Sequence, residues 1–150
     1  MLEVYAADDP RVQVEISVPV KGRRPIVLRL PRFEYWDEPI YDAVMAGLEA
    51  IDNADKDKPD DDPTRMPARK RNRAITLITV KPFVSDKDYA VLEGLPLGPL
   101  NQISEYWREQ SAIPLGEYVA SRTSLEANTG APSDTTSTEP GTTVATLGAA

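Results

Sequence analysis

The chain has 150 residues, room for one domain or two small ones, and its 17 Lys plus Arg against 24 Asp plus Glu give a net charge of -7. With no Cys and no His, disulfides, thiolate zinc sites, Ser-His-Asp and Cys-His catalysis and imidazole acid–base chemistry are all excluded. The acidic balance also disfavours nucleic acid as the main partner, because phosphate binding needs clustered positive charge.

Residues 1–9 read as a short, frayed acidic lead. Met1-Leu2-Glu3 lacks the basic start and apolar run of a secretory signal, and no apolar run is long enough to span a bilayer. A cytosolic, membrane-free protein is therefore expected. From residue 10 the pattern becomes ordered. Val12, Val14, Ile16, Val18 and Val20 alternate with Gln13, Glu15, Ser17, Pro19 and Lys21, the period-2 signature of a half-buried strand. Lys21-Gly22-Arg23-Arg24 reads as a turn, and Ile26, Leu28 and Leu30 resume the period, so a β-hairpin is predicted. Pro19 on the polar face marks an edge strand. Asp37 is a candidate N-cap with Pro39 in the first turn, and Ile40, Val44, Leu48 and Ile51 then recur at helical spacing.

Residues 52–67 are rich in Asp, carry Pro59, Pro63 and Pro67 and show no apolar period, so a disordered acidic linker is expected. Its carboxylates do not match the register of an EF-hand loop, which leaves a solvated linker favoured over calcium binding. Arg65, Arg69, Lys70, Arg71 and Arg73 follow. They suit contact with nucleic acid or an acidic protein, but no aromatic stacking set accompanies them, and neutralisation by the adjacent acids or a solvated helix start is the plainer reading. Residues 74–80 are ambiguous: β-branched content favours strand, spacing favours helix, and helix is preferred. Ser85-Asp86-Lys87-Asp88 resembles a capping box opening a short helix that carries Tyr89 and Leu92 and stops at Gly94. A further helix from Gly98-Pro99 places Leu100, Ile103 and Trp107 on one stripe, Pro114-Leu115-Gly116 breaks it, and a last helix is expected from Tyr118 to Ala127. Residues 129–150, rich in Thr, Ser, Gly, Pro and Ala and without Lys or Arg, read as a flexible tail. The expected architecture is α+β: an N-terminal hairpin and a small bundle of short helices, as one domain over 10–128 interrupted by the acidic linker.

No catalytic constellation emerges. Asp37-Glu38 and Glu105/Glu109 are paired carboxylates without a pocket context, and Gly94-Leu95-Pro96-Leu97-Gly98 lacks the Lys and spacing of a phosphate loop. No cofactor, metal ligand or enzymatic activity is expected. Trp36 and Trp107, with Tyr35, Tyr41 and Tyr106, suit a core or an interface.

The stretch Val84 to Glu126 carries a resemblance. Asp86-Lys87-Asp88-Tyr89, Leu95-Pro96-Leu97, Ile103, Trp107, Ser111, Leu115-Gly116-Glu117 and Ala120-Ser121 resemble the pattern of tail assembly chaperones of long-tailed actinobacteriophages. Tyr118 departs from the usual Ser, and Ala112 stands where Gly is common. The resemblance implies a non-enzymatic, host-cytoplasmic assembly factor that binds the tape measure protein, keeps it soluble, helps recruit tail tube subunits and is absent from the mature virion. It further implies that a longer form made by programmed frameshift exists in such families. Homo-oligomers, association with such a longer form and contact with the major tail tube protein stay open. On this reading Leu100, Ile103, Trp107, Leu115, Glu117 and Ser121 are the candidate partner contacts, the alternative being that the first three are core. A structural virion component and a nucleic-acid-binding factor are the competing classes.

Overall fold

The computed structural model describes residues 1–127, with side chains through residue 122; the expected tail at 129–150 lies outside the described residues. Strands β1 (Gln13–Val20) and β2 (Arg23–Pro31) form an antiparallel hairpin, and helices α1 (Glu38–Ala54), α2 (Ala68–Val80), α3 (Asp86–Glu93), α4 (Leu97–Ala112) and α5 (Leu115–Ala127) follow. The α+β architecture expected from the sequence is the one observed. The chain divides into two units, Met1–Ile113 and Pro114–Ala150. The single domain expected over 10–128 spans that boundary. No helix among the described residues is long and apolar enough to cross a membrane.

The hairpin follows directly from its alternation. Val12, Val14, Val18, Leu28 and Leu30 are buried, while Glu15 and Arg29 pair across the opposite face at 3.1 Å. Gly22 takes a φ of 81° in the turn, a conformation that a side chain would strain. The register slips by one between Val18 and Val20. A continued register would set Pro19 opposite Pro25, two residues with no N–H for the ladder. An isolated two-stranded hairpin is marginal in water. Here β1 packs on α4, whose Leu100, Ile103 and Trp107 complete the buried face.

The strongest tie between hairpin and helices is the segment that leaves β2. Arg32 is 1% exposed. Its guanidinium donates to the carbonyls of Gln110 (2.8 Å), Ser111 (3.1 Å) and Ile113, and its Nε donates to Glu34 (3.0 Å). Those carbonyls are the ones a helix leaves without partners at its C-terminus, where the helix dipole is negative. On either side, Trp107 Nε1 donates to the Pro31 carbonyl at 2.8 Å and the Phe33 N–H donates to Ser111 Oγ at 3.2 Å.

The ambiguous stretch 74–80 is helical. It is the second half of α2, which starts at Ala68 and packs against both α1 and α4. At the α1–α2 contact a Cβ on Gly47 would lie 3.1 Å from Ile78 Cγ2, so the two helices need a small residue there. Ser85 caps α3 as expected, its Oγ accepting from the Asp88 N–H at 3.1 Å. Helix α5 begins at Leu115, three residues before the expected start, with the Tyr118 N–H bonded to the Pro114 carbonyl at 2.9 Å.

The acidic segment corrects the expectation of a disordered linker. Residues 52–54 belong to α1, and the rest is a hydrogen-bonded loop. Asp55 accepts from the Met66 N–H (2.8 Å) and pairs with Lys58 (3.2 Å). Asp62 accepts from the N–H and Oγ1 of Thr64 (2.8 and 2.7 Å), and Arg65 donates to the carbonyls of Asp55 and Lys58. The prolines fix turns, and the carboxylates replace a core by satisfying backbone donors.

Two outcomes are expected. Arg32→Lys replaces a fork that serves several carbonyls with a point charge, so urea denaturation should show a loss of roughly 2–3 kcal/mol, and Arg32→Ala a larger one. The backbone hydrogen bond from Met66 lowers the Asp55 pKa, and the Thr64 side-chain bond lowers that of Asp62. Carboxylates depressed on folding stabilise the loop above their unfolded values of about 4 and lose that effect as pH falls through the folded ones. The Met66 and Thr64 amide resonances should therefore move together on acidification below about pH 4. Resonances that stay fixed down to the global acid transition would contradict the loop assignment.

Candidate functional site

Three helices each contribute one short stripe to a common apolar groove. α1 supplies Tyr41, Val44, Met45 and Leu48, α2 supplies Thr76, Thr79 and Val80, and α4 supplies Ser104, Trp107 and Arg108. Each set follows i, i+3, i+4 spacing, one face of a helix. Phe33 and Trp36, from the one-turn segment after β2, close the lining around a cavity of about 240 Å³.

The floor is buried and the rim is not. Val44, Thr76, Val80 and Trp107 are all below 5% exposed, whereas Phe33 (38%), Tyr41 (46%) and Met45 (37%) stand in solvent. Aromatic rings hold the shape. Trp36 and Trp107 lie 5.5 Å apart between centroids, and Phe33 and Phe83 each approach both indoles at 5.2–5.7 Å, mostly edge to face. Tyr41 extends the cluster to 6.5 Å from Trp36. Such pairs prefer these tilted geometries because ring edges are positive and faces negative. The Trp36 indole N–H is buried and finds no acceptor among the described residues. Arg108 is the one charged residue in the lining, and it makes no ion pair with any described residue.

The structure separates the candidate partner residues. Leu100, Ile103 and Trp107 do share one face of α4, but all are buried, and Leu100 reaches no solvent. Trp107 alone of these lines the groove; Ile103 lines a second hollow with Ile16, Val18 and Tyr106. Leu115, Glu117 and Ser121 lie on α5 in the second unit, the first half-buried and the others exposed. The groove itself draws on Phe33, Met45 and Arg108, which sequence reasoning did not single out. One available signal was the secondary stripe Tyr41-Val44-Met45-Leu48, running beside the main apolar stripe of α1.

The basic cluster is largely structural. Arg65 ties the acidic loop, Arg71 pairs with Asp52, and Arg73 donates to the Leu95 and Glu93 carbonyls at the end of α3. Arg69 and Lys70 remain exposed. The polar hollow beside them is lined by Asp52, Asp55, Arg65 and Arg71, whose charges already serve these bonds. Asp37, Glu38, Glu105 and Glu109 are exposed and line none of these cavities. Among the described residues no three acidic side chains gather as a metal site would require.

Comparison with protein-family models, with curated proteins and with solved structures finds no match to this chain.

Phe83→Leu should test the ring cluster. It removes edge contacts to both indoles, so stability should fall by about 1–2 kcal/mol and the near-ultraviolet circular dichroism of the tryptophans should collapse while the far-ultraviolet signal persists. An unchanged near-ultraviolet spectrum would count against the packed geometry.

Proposed function

We propose that this protein is a phage tail assembly chaperone, which holds the tape measure protein in soluble form while the tail tube is built and does not enter the finished virion. The observation that carries this reading is the apolar groove between α1, α2 and α4, preformed and rimmed by exposed Phe33, Tyr41 and Met45. Grooves of this kind accept the apolar face of a helix from another chain. An exposed aromatic rim around a buried floor is the surface a monomer keeps for a partner. The resemblance of the segment from Val84 to Glu126 to such chaperones supplies the client. The net charge of -7 suits a holder whose complex must stay dispersed. Three of the five basic residues at 65–73 are engaged within the fold, which weakens the case for a nucleic-acid role.

The test is co-expression with the tape measure protein of the same phage, followed by pull-down and measurement of the soluble fraction. The client should be insoluble alone and soluble in complex. Truncating the rim with Tyr41→Ala and Met45→Ala should reduce its retention severalfold, while global stability changes by only about 0.5–1 kcal/mol because both side chains are exposed. Mass spectrometry of purified particles should find no copies of this chain. A client that is soluble unaided, or that ignores the rim variants, would sink the reading.

A further inference from the structure

The groove carries information about its occupant that the client's name does not supply. Its volume, about 240 Å³, falls below the roughly 300–1,000 Å³ of sites that engulf a cofactor or drug-sized ligand. It fits a few side chains from one helix face. Its walls are apolar, yet two nitrogen donors in the lining have no acceptor among the described residues. The Trp36 indole N–H is buried and finds no acceptor among the described residues, an unfavourable state for a buried donor. Arg108, on the same face of α4 as Trp107 and one residue along, is exposed and makes no ion pair with any described residue. Several of the other arginines serve the fold: Arg32 bonds the end of α4, Arg73 the end of α3 and Arg71 pairs with Asp52.

We propose that the groove recognises an amphipathic helix of a partner chain whose apolar stripe is flanked by a carboxylate, the stripe filling the space over Val44, Thr76 and Val80 and the carboxylate meeting Arg108. This rests on the groove being the client site and specifies which part of a client it takes. The charge rule runs against the field of the whole molecule. A chain of net charge -7 attracts cationic peptides at long range. A preference for an acidic peptide can therefore only come from a local contact.

The test uses the full chain and its own fluorescence, because Trp36 and Trp107 are its two tryptophans and both line the groove. The probes are two capped synthetic helices, each with Leu at i, i+3, i+4 and i+7 on an Ala/Gln background and differing only in Glu or Lys beside the stripe. The Glu peptide should shift tryptophan emission and bind about twofold to fivefold tighter than the Lys peptide at physiological salt, the range expected for an exposed ion pair. Arg108→Glu should reverse the order, and Arg108→Gln should remove the preference for the Glu peptide. Circular dichroism and melting should show both variants folded, since Arg108 is exposed and makes no ion pair with any described residue. Equal binding of the two peptides, a Lys preference in the unmodified chain, or no emission change with either peptide overturns the proposal. So does a concentration-dependent emission shift with dimer formation in the absence of peptide, which would assign the groove to a second copy. If Arg108→Glu still retains the tape measure protein fully, this inference fails while the chaperone reading stands; loss of client retention in the rim variants with no Arg108 effect leads to the same division.

Discussion

One guanidinium organises the first unit. Arg32 leaves the last strand of the hairpin and closes the C-terminus of a helix whose Gln110 carbonyl lies 78 residues further along the chain. Helix α4 ends without a left-handed glycine, the usual local device for capping the final carbonyls; its C-cap Ile113 is extended at φ -71° and ψ 133°. The cap therefore comes from a distance, and it is charged, which suits the negative end of the helix. Burying a guanidinium is costly unless its donors are used. Here three carbonyls and the Glu34 carboxylate use them. The flanking bonds from Trp107 to Pro31 and from Phe33 to Ser111 make this a three-point clasp. The same three residues that tie the sheet to the helix thus fix Phe33 and Trp36 against Trp107, and the ring cluster inherits its geometry from the clasp.

How much of this was legible follows from where the information lies. The hairpin and α1 were readable because their periods are local: alternation in 12–20, helical spacing in 40–51. The stretch 74–80 was ambiguous because Ile, Thr and Val resist helix locally, and packing between α1 and α4 decides the matter from outside. The acidic loop was misread for a different reason. Composition counts charges but does not see acceptors, and Asp55 reaches a backbone N–H eleven residues on. The stripe Leu100-Ile103-Trp107 was found correctly as a stripe, but a stripe in sequence does not say whether it faces a partner or the hairpin. It faces the hairpin and the core, apart from the edge that Trp107 shows to the groove.

The groove was out of reach of any local reading, since no segment of the chain contains it. It is assembled from the margins of three helices and one turn, each contributing residues that flank its own main apolar stripe. Charge accounting has the same character. Five basic residues in nine suit either a ligand or neutralisation by the adjacent acids, and neutralisation is the plainer reading of the sequence. Once folded, three of them hold loops and helix ends, and the cation left at the groove is Arg108, which stands among Glu105 and Glu109 in sequence and drew no notice there.

What keeps the groove open is the size of its floor. Helix α2 presents Thr76, Thr79 and Val80 between α1 and α4, and Thr79 turns its hydroxyl back onto the Ile75 carbonyl at 2.7 Å, leaving its methyl group for the cavity side of the helix. Small branched residues leave depth where Leu or Phe would fill it. Gly47 acts in the same direction from the α1 side, since the absence of a Cβ lets α1 settle onto Ile78 and sets how far its Tyr41–Met45 edge stands from α4. A domain whose only need was stability would gain from a larger residue at Thr76 or Thr79, because each unfilled methylene-sized space forgoes about 1 kcal/mol. The combination of a shallow floor, rigid aromatic walls and an apolar rim left in water is intelligible as a surface completed by another chain.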